Sequence, residues 1–408
     1  MRSQFDSKTL ADLGGIMPNY KYLIIGGGMT SDAAIAGIRK VDPTGSIGMI
    51  SAESHPPYNR PPLSKGLWKG KPLESIYRQT STANAQIHLG RMVDSIDTHS
   101  KQVKDDQGQK YGYQKLLLAT GASPRELPYG KTEIIYFRTL DDFQHLQKLS
   151  EKSGRFAVIG GGFIGSELAS ALTDHKQEVV MVFPEKGIGA LIFPPDLASF
   201  LNDFYRQKGV DIQAEELVSD IERRGNELAL KLKSGREILV DHVVAGIGIL
   251  PNISLAEGAG IEVDNGILVD KYMQTNQPDI YAAGDVANIY NPVLEMRLRV
   301  EHEDNALTSG QAAGRNMAGE AVPYDHLSSF YSDLFDLGYE AVGELNPNLE
   351  TFSDWQEPFH KGVVYYLDEG RVRGVLLWNV WDQVDQAREL IAEPGPFSPG
   401  NLKGRLPK

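Results

Sequence analysis

Three glycines followed by an acid carry the first recognisable chemistry in this chain. Gly160, Gly162 and Gly165 stand at GxGxxG spacing after the apolar run Phe156–Ile159 and before a helical stretch, Glu167–Leu172. In such a turn the first glycine bends the chain, the second lets backbone approach a pyrophosphate, and the third lets helix lie on strand. The helix N-terminus then offers N–H groups and a positive dipole end to phosphates. Twenty residues after Gly165, Glu185 follows a second apolar strand, Val179–Phe183. A carboxylate there accepts hydrogen bonds from a ribose 2′-hydroxyl and favours NAD(H), although Lys186 beside it would tolerate the 2′-phosphate of NADP(H).

A less regular copy of the pattern lies upstream. Strand Tyr22–Ile25 is followed by Gly26, Gly28 and Ser31, with serine at the third glycine position, then a helix through Ala33–Arg39 and a strand near Ile47–Ser51. Glu53 lies just past that strand, with Ala52 as the other residue at the ribose position. Two units predict two dinucleotides, FAD in one and a nicotinamide in the other; the other reading is one functional unit and one decayed copy. The loop His55–Lys71 carries four prolines between Pro56 and Pro62, which stiffen it. Its Arg60 and Lys65 suit fixed contacts to an anionic cofactor. Strand Lys115–Gly121 ends in Thr120-Gly121, and His242–Asn252 ends in a glycine turn holding Gly248. Strand Ile280–Ala283 runs into Gly284-Asp285, where the carboxylate could accept from a polyol such as ribitol and the glycine allows close backbone approach; an aspartate helix cap is the other reading. Small residues at helical spacing (Ala306, Gly310, Ala313, Gly314) predict a tightly packed helix from near Glu303, its N-terminal dipole favouring negative charge.

These motifs need elements to position them. At 408 residues two or three domains are expected. Ile87–Tyr113 reads as hairpin strands with a turn at Asp105–Gly108, and residues 133–248 as the nicotinamide unit. From Tyr324 the texture turns aromatic, with strands Lys361–Leu367 and Arg371–Trp378 joined at Asp368–Gly370 and a helix Gln383–Ile391, so a small α+β domain is expected before an irregular proline-rich tail. The first residues lack a signal-peptide core and read as a loosely ordered arm; the protein is expected to be cytoplasmic. A net charge of −13 speaks against nucleic acid and anionic membranes as partners, and no apolar run approaches the ~18 residues of a membrane span.

The 408 residues contain no cysteine. Disulfides, thiolate metal sites and any route for electrons through a protein thiol are therefore excluded. None of the nine histidines has metal-motif spacing, so no metal is expected.

The paired fingerprints, together with LLLATG, GIGILPN and AAGD, resemble the two-dinucleotide flavoprotein family of glutathione reductase and the ferredoxin reductases. Within it the chain is most similar to apoptosis-inducing factor and its bacterial relatives, through RPPLSK (Arg60–Lys65), GGGFIGSE (Gly160–Glu167), VFPEKG (Val182–Gly187), VEH (Val300–His302), FYSDL with GYEAVG, and LLWN (Leu376–Asn379). The resemblance implies an α/β fold of two Rossmann-like, glutathione-reductase-type dinucleotide domains plus a small α+β C-terminal domain. An FAD domain at 20–130 and 251–325, an NAD domain at 131–250 and a flavin-covering domain at 326–408 would follow. It further implies that Lys65 pairs with Glu167 beside flavin N5, that Phe163 gates the nicotinamide pocket, that His302 of VEH lies near the flavin–nicotinamide stack, with Glu301 a further cofactor-binding candidate, and that Asp285 binds ribitol. Tyr331 stands where many relatives have Trp, so weaker or different stacking is expected there. The implied activity is an FAD-dependent NAD(P)H oxidoreductase, passing electrons from NADH to a non-thiol acceptor: an iron–sulfur protein such as ferredoxin or rubredoxin, a quinone or a small oxidant. The alternative is a redox-responsive interaction protein, in which a long-lived reduced flavin–NAD charge-transfer complex changes conformation or drives homodimerisation.

Overall fold

The computed structural model describes residues 17–130 and 132–406; the N-terminal arm expected from the sequence lies outside them. The helices among these residues are α1 (Met29–Val41), α2 (Leu140–Leu149), α3 (Phe163–Asp174), α4 (Pro195–Gln207), α5 (Ser254–Gly258), α6 (Glu303–Met317), α7 (Val384–Ala392) and α8 (Pro399–Leu402).

Two parallel sheets carry the two glycine turns. In the first, strands Gln86–His88, Ile47–Ile50, Asn19–Ile25 and Lys110–Leu118 lie side by side in parallel, and Ile280–Ala282 adds to Lys110–Leu118 from far along the chain. Two antiparallel strands, Gln102–Asp105 and Val93–Asp97, extend its edge. In the second, Asp211–Ala214, Glu178–Phe183, Arg155–Ile159, His242–Ala245 and Ile134–Tyr136 run parallel. An antiparallel ribbon, Val218–Arg224, Glu227–Leu232 and Glu237–Val240, packs its leucines against that sheet. Central strands such as Leu23–Ile25 and Ala157–Ile159 are apolar throughout, because both faces of each parallel sheet are covered, the second sheet by helices on one face and by the ribbon on the other.

The third large sheet is antiparallel, with strands in the order Ser329–Leu334, Leu337–Gly343, Arg371–Trp378, Lys361–Asp368 and Glu350–Glu357. One face puts Tyr339, Leu376 and Trp378 into a core shared with α3, α4 and the Pro-rich loop. The other face packs Val375 and Leu377 with α7 and Leu327. The C-terminal sheet is thus bonded by apolar burial to the elements that carry the second glycine turn.

Several boundaries differ from expectation. α1 starts at Met29 and α3 at Phe163, each four residues before its expected start, because each helix begins directly after the second glycine of its turn, where the buried first turn has no polar face to reveal its period. The strand Lys110–Leu118 stops before Thr120-Gly121. The tail is not irregular throughout: Ser398 and Asn401 form a capping box that starts α8, and Leu402 and Leu406 are buried.

Candidate functional site

A cavity of about 1430 Å³ runs between the two parallel sheets and under the C-terminal sheet. Both glycine turns open into it. Gly26 and Gly160 have φ of +123° and +113°, and a β-carbon on either would lie 2.1 or 2.3 Å from the carbonyl of Ala119 or Gly246. Gly28 and Gly162 are the opposite case: nothing lies within 4 Å of where their β-carbons would be. These two glycines face open space at the N-termini of α1 and α3, where a pyrophosphate would meet backbone N–H groups. The third positions face inward. A β-carbon on Gly165 would sit 2.0 Å from the Gly160 carbonyl, whereas Ser31 donates its hydroxyl to the Gly26 carbonyl at 2.8 Å. Serine therefore replaces glycine by bonding the group that glycine would have to avoid. The residues present fit two dinucleotides.

The centre of the cavity wall is a charged clasp. Lys65 Nζ lies 2.6 Å from Glu167 Oε1. Ser64 donates to Glu167 Oε2 and Ser332 to Oε1, each at 2.5 Å. The Glu167 side chain is 3% exposed and that of Lys65 12%, which sets the pair apart from a solvated surface bridge. Three elements build it: the short 3₁₀ turn Pro61–Ser64 supplies Ser64 and Lys65, the first turns of α3 supply Glu167, and the C-terminal sheet supplies Ser332. Lys65 also stands 5.2 Å over the ring of Tyr331. Burial, reinforced by the nearby Glu167 charge, pushes the Tyr205 and Tyr339 hydroxyls well above their ordinary range.

At the first nucleotide turn Glu53 lines the cavity, but its carboxylate is already held by Arg60 and by the Tyr58 hydroxyl at 2.6 Å. Arg60 spends its remaining donors on the Tyr58 hydroxyl and the Arg138 carbonyl. The arginine thus organises its own loop as well as facing the cavity. Asp285 lines the cavity paired with Arg138 at 2.6 Å; it is not a helix cap, because Ala283 holds that position. Gly284 faces away, and its close approach is to Thr30 on α1. Thr120 and Gly121 bond Asn252 through Thr120 Oγ1 to the Asn252 carbonyl, Asn252 Nδ2 to the Thr120 carbonyl and Asn252 N–H to the Gly121 carbonyl. That lattice pins the crossing between the sheets beside Gly248, whose φ is +91°.

At the second turn Glu185 lines the cavity, whereas Lys186 is exposed and does not. Glu301 lies on the wall, bonded to Arg299 at 2.7 Å. His302 is the N-cap of α6 by backbone, yet its side chain makes no cap bond. Its ring stacks on Phe330 with centroids 4.1 Å apart and meets the edge of Phe163 at 6.0 Å. Burial among these rings lowers its pKa to about 4, against the pull of Asp285 and Asp304. Glu303 is shifted up by burial, although Tyr331 donates to it at 3.5 Å. Tyr331 is 41% exposed at the cavity rim, so the inner aromatic contact on this side is Phe330.

Four contributors were not singled out from the sequence: Ser64, Ser332, Arg138 and Phe330. Ser64, Phe330 and Ser332 sit next to named residues within PLSK and FYSDL, but nothing local marks them. Among the described residues no helix is long and apolar enough to cross a membrane, and no group of three or more His, Asp or Glu could hold a metal ion.

Two glycine turns at the carboxyl ends of central parallel strands, opening on one cavity with a buried lysine–carboxylate pair, are the features of a nucleotide-dependent oxidoreductase. The chain belongs to the pyridine nucleotide-disulphide oxidoreductase family, whose profile matches residues 20–310. The profile of the C-terminal domain of mitochondrion-associated apoptosis-inducing factor matches residues 313–358 and 353–393. The chain is 35% identical to apoptosis-inducing factor 1 of Dictyostelium discoideum, over 91% of this chain and 78% of that protein. It is 34% identical to monodehydroascorbate reductase 3 of Arabidopsis thaliana, over 93% of each. The crystal structure of a covalent putidaredoxin reductase–putidaredoxin complex superimposes with a TM-score of 0.88 at 29% identity, covering 94% of this chain and 95% of that one. The protein is an NAD(P)H oxidoreductase of the ferredoxin-reductase and apoptosis-inducing-factor class, in a family that uses FAD and NAD(P)H.

Proposed function

We propose that this chain oxidises NADH in preference to NADPH and delivers electrons singly to an iron–sulfur protein, with quinones and small oxidants as lesser acceptors. Bound FAD would supply the chemistry, taking two electrons from the nicotinamide and releasing them one at a time. In this reading Gly26–Gly28 with α1 and Gly160–Gly162 with α3 receive the two pyrophosphates. Glu53 and Glu185 accept from ribose hydroxyls, and Asp285, oriented by Arg138, accepts from ribitol. Lys65, immobilised by Glu167, sets a fixed positive field on the reacting end of the cavity, and such preorganised charge is worth most where water is excluded. Phe163, Phe330 and a neutral His302 close that end. The division at 20–130 with 251–325, 131–250 and 326–408 belongs to the same proposal, supported by the three largest sheets.

The observation that carries it is the buried Lys65–Glu167 clasp in a chain without a thiol: charge is held where a cofactor would react, and no cysteine can take the electrons onward. Stopped-flow bleaching of the flavin by NADH tests it. Lys65→Ala is expected to slow that step by roughly 10²-fold, with Lys65→Arg restoring part of the rate; because the change also leaves a buried carboxylate without its cation, the rate is compared at a temperature where thermal melting shows both variants folded. Unchanged bleaching in Lys65→Ala would remove the assigned role.

A second reading is favoured by the match of the C-terminal residues to apoptosis-inducing factor. There the output is a change of conformation or homodimerisation after NADH binding. Sedimentation with and without NADH, beside turnover with a ferredoxin and with a quinone, separates the two.

A further inference from the structure

A second, smaller cavity lies behind the clasp. It has a volume of about 40 Å³, room for about one to three waters. Ser64, Lys65 and Glu167 line both cavities, and none of the other residues around the small one touches the large one. The three side chains are therefore the partition between the cofactor cavity and a separate pocket. Beyond them the pocket follows one face of α3, where Glu167, Ser170, Ala171, Asp174 and His175 recur at helical spacing. Asp174 and His175 are exposed, so the pocket reaches solvent. Lys69 and Asp333, 3.5 Å apart, stand at the same end. The partition consists of a carboxylate whose two oxygens accept from an ammonium at 2.6 Å and from a hydroxyl at 2.5 Å, and all three groups exchange protons.

We infer that Ser64, Lys65 and Glu167 form a proton relay between the reacting end of the large cavity and the small cavity, through which one proton crosses per turnover. The stoichiometry requires a proton to leave or enter the site, and the relay gives it a route. With single-electron acceptors, NAD(P)H + 2 A → NAD(P)⁺ + H⁺ + 2 A⁻ leaves a proton behind; with a quinone, NAD(P)H + H⁺ + Q → NAD(P)⁺ + QH₂ takes one up. Seated nucleotides occupy the large cavity, and the small one offers water on the far side of the clasp. Glu167 is the group that spans both, with Oε1 on Lys65 and Oε2 on Ser64. The inference rests on the clasp standing at the reacting end, as proposed above.

The test plugs the pocket without touching the clasp. Ala171→Val fills it from the α3 face, and Asp174→Asn removes a carboxylate at its exposed end, where misfolding is not a concern. The holoenzyme is mixed with NADH and ferricyanide in weak buffer with a pH indicator. Bleaching by NADH should keep its wild-type rate in both variants. Ferricyanide reduction and the indicator response should slow together, by roughly tenfold or more in Ala171→Val, and recover on adding imidazole as a diffusible proton carrier. A crystal structure of the wild-type protein should show ordered water in the pocket, displaced in Ala171→Val. Wild-type proton release in both variants, slowing that imidazole does not relieve, or a dry pocket would each overturn the relay. None of these results touches the Lys65→Ala outcome, so the relay can fail while the site assignment stands.

Discussion

At the scale of single residues, charge placement decides what the cavity accepts. Glu185 faces the cavity and Lys186 does not, so the carboxylate should dominate nucleotide choice. A hydrogen bond to a charged acceptor contributes about 1.5–3 kcal/mol; Glu185→Ala is therefore expected to shift the NADH/NADPH ratio of kcat/KM toward NADPH by about 10- to 100-fold, measured by steady-state assay with each nucleotide. His302 gives a pH signature. Its pKa falls from an ordinary 6.5 to about 4 in the folded protein, so the unfolded chain binds more protons between those values. The stability it confers is present above pH 6.5 and is lost as pH falls toward 4. Thermal midpoints measured across that window should drop less steeply for His302→Asn than for the wild type. Neither the pairing of Lys65 with Glu167 nor the placement of Ser332 can be read from local sequence, since the partners lie 102 and 165 residues from Glu167. Resemblance supplied the first, and nothing supplied the second.

At the scale of elements, the two glycine turns show one geometry reached in two ways. Gly165→Ala would drive a β-carbon to 2.0 Å from a carbonyl oxygen, and moving α3 away also moves Glu167. Its expected cost is in the overpacking range of about 1–3 kcal/mol, with weaker nucleotide binding. Ser31→Ala loses one hydrogen bond, about 1 kcal/mol, and should leave cofactor binding intact. Urea unfolding and nucleotide titration of the two variants check this contrast. The turns were legible because glycine spacing reports backbone needs directly. The helix starts were not, because the first turns of α1 and α3 are buried on most sides and show no amphipathic period. The α1–α6 contact follows the same logic. Small residues at 310 and 314 on α6 bring its backbone against the carbonyls of Thr30 and Ala34, and that much could be read as a tightly packed helix, though not which helix it would meet.

For the whole molecule, net charge is the governing quantity. A chain at −13 repels anionic oxidants over distances set by the Debye length. Reoxidation by ferricyanide should therefore accelerate as salt rises, while reoxidation by an uncharged quinone should stay flat; stopped-flow traces over a salt series measure both. From residue 326 onward the chain carries seven basic and thirteen acidic residues, a net of −6, so an acidic protein acceptor would need a local patch of opposite sign. Sheet order and the shared core were only partly foreseeable, because Ile280–Ala282 and the C-terminal sheet return to partners far upstream.

The serine at 332 carries a practical lesson for engineering. The C-terminal sheet is not an independent module: its Ser332 reaches back to donate to a carboxylate on α3 that is almost sealed from water. A chimera that grafts a relative's module without a hydroxyl at that point would strip one donor from a buried anion, and its defect is expected in the half of the molecule that was left untouched.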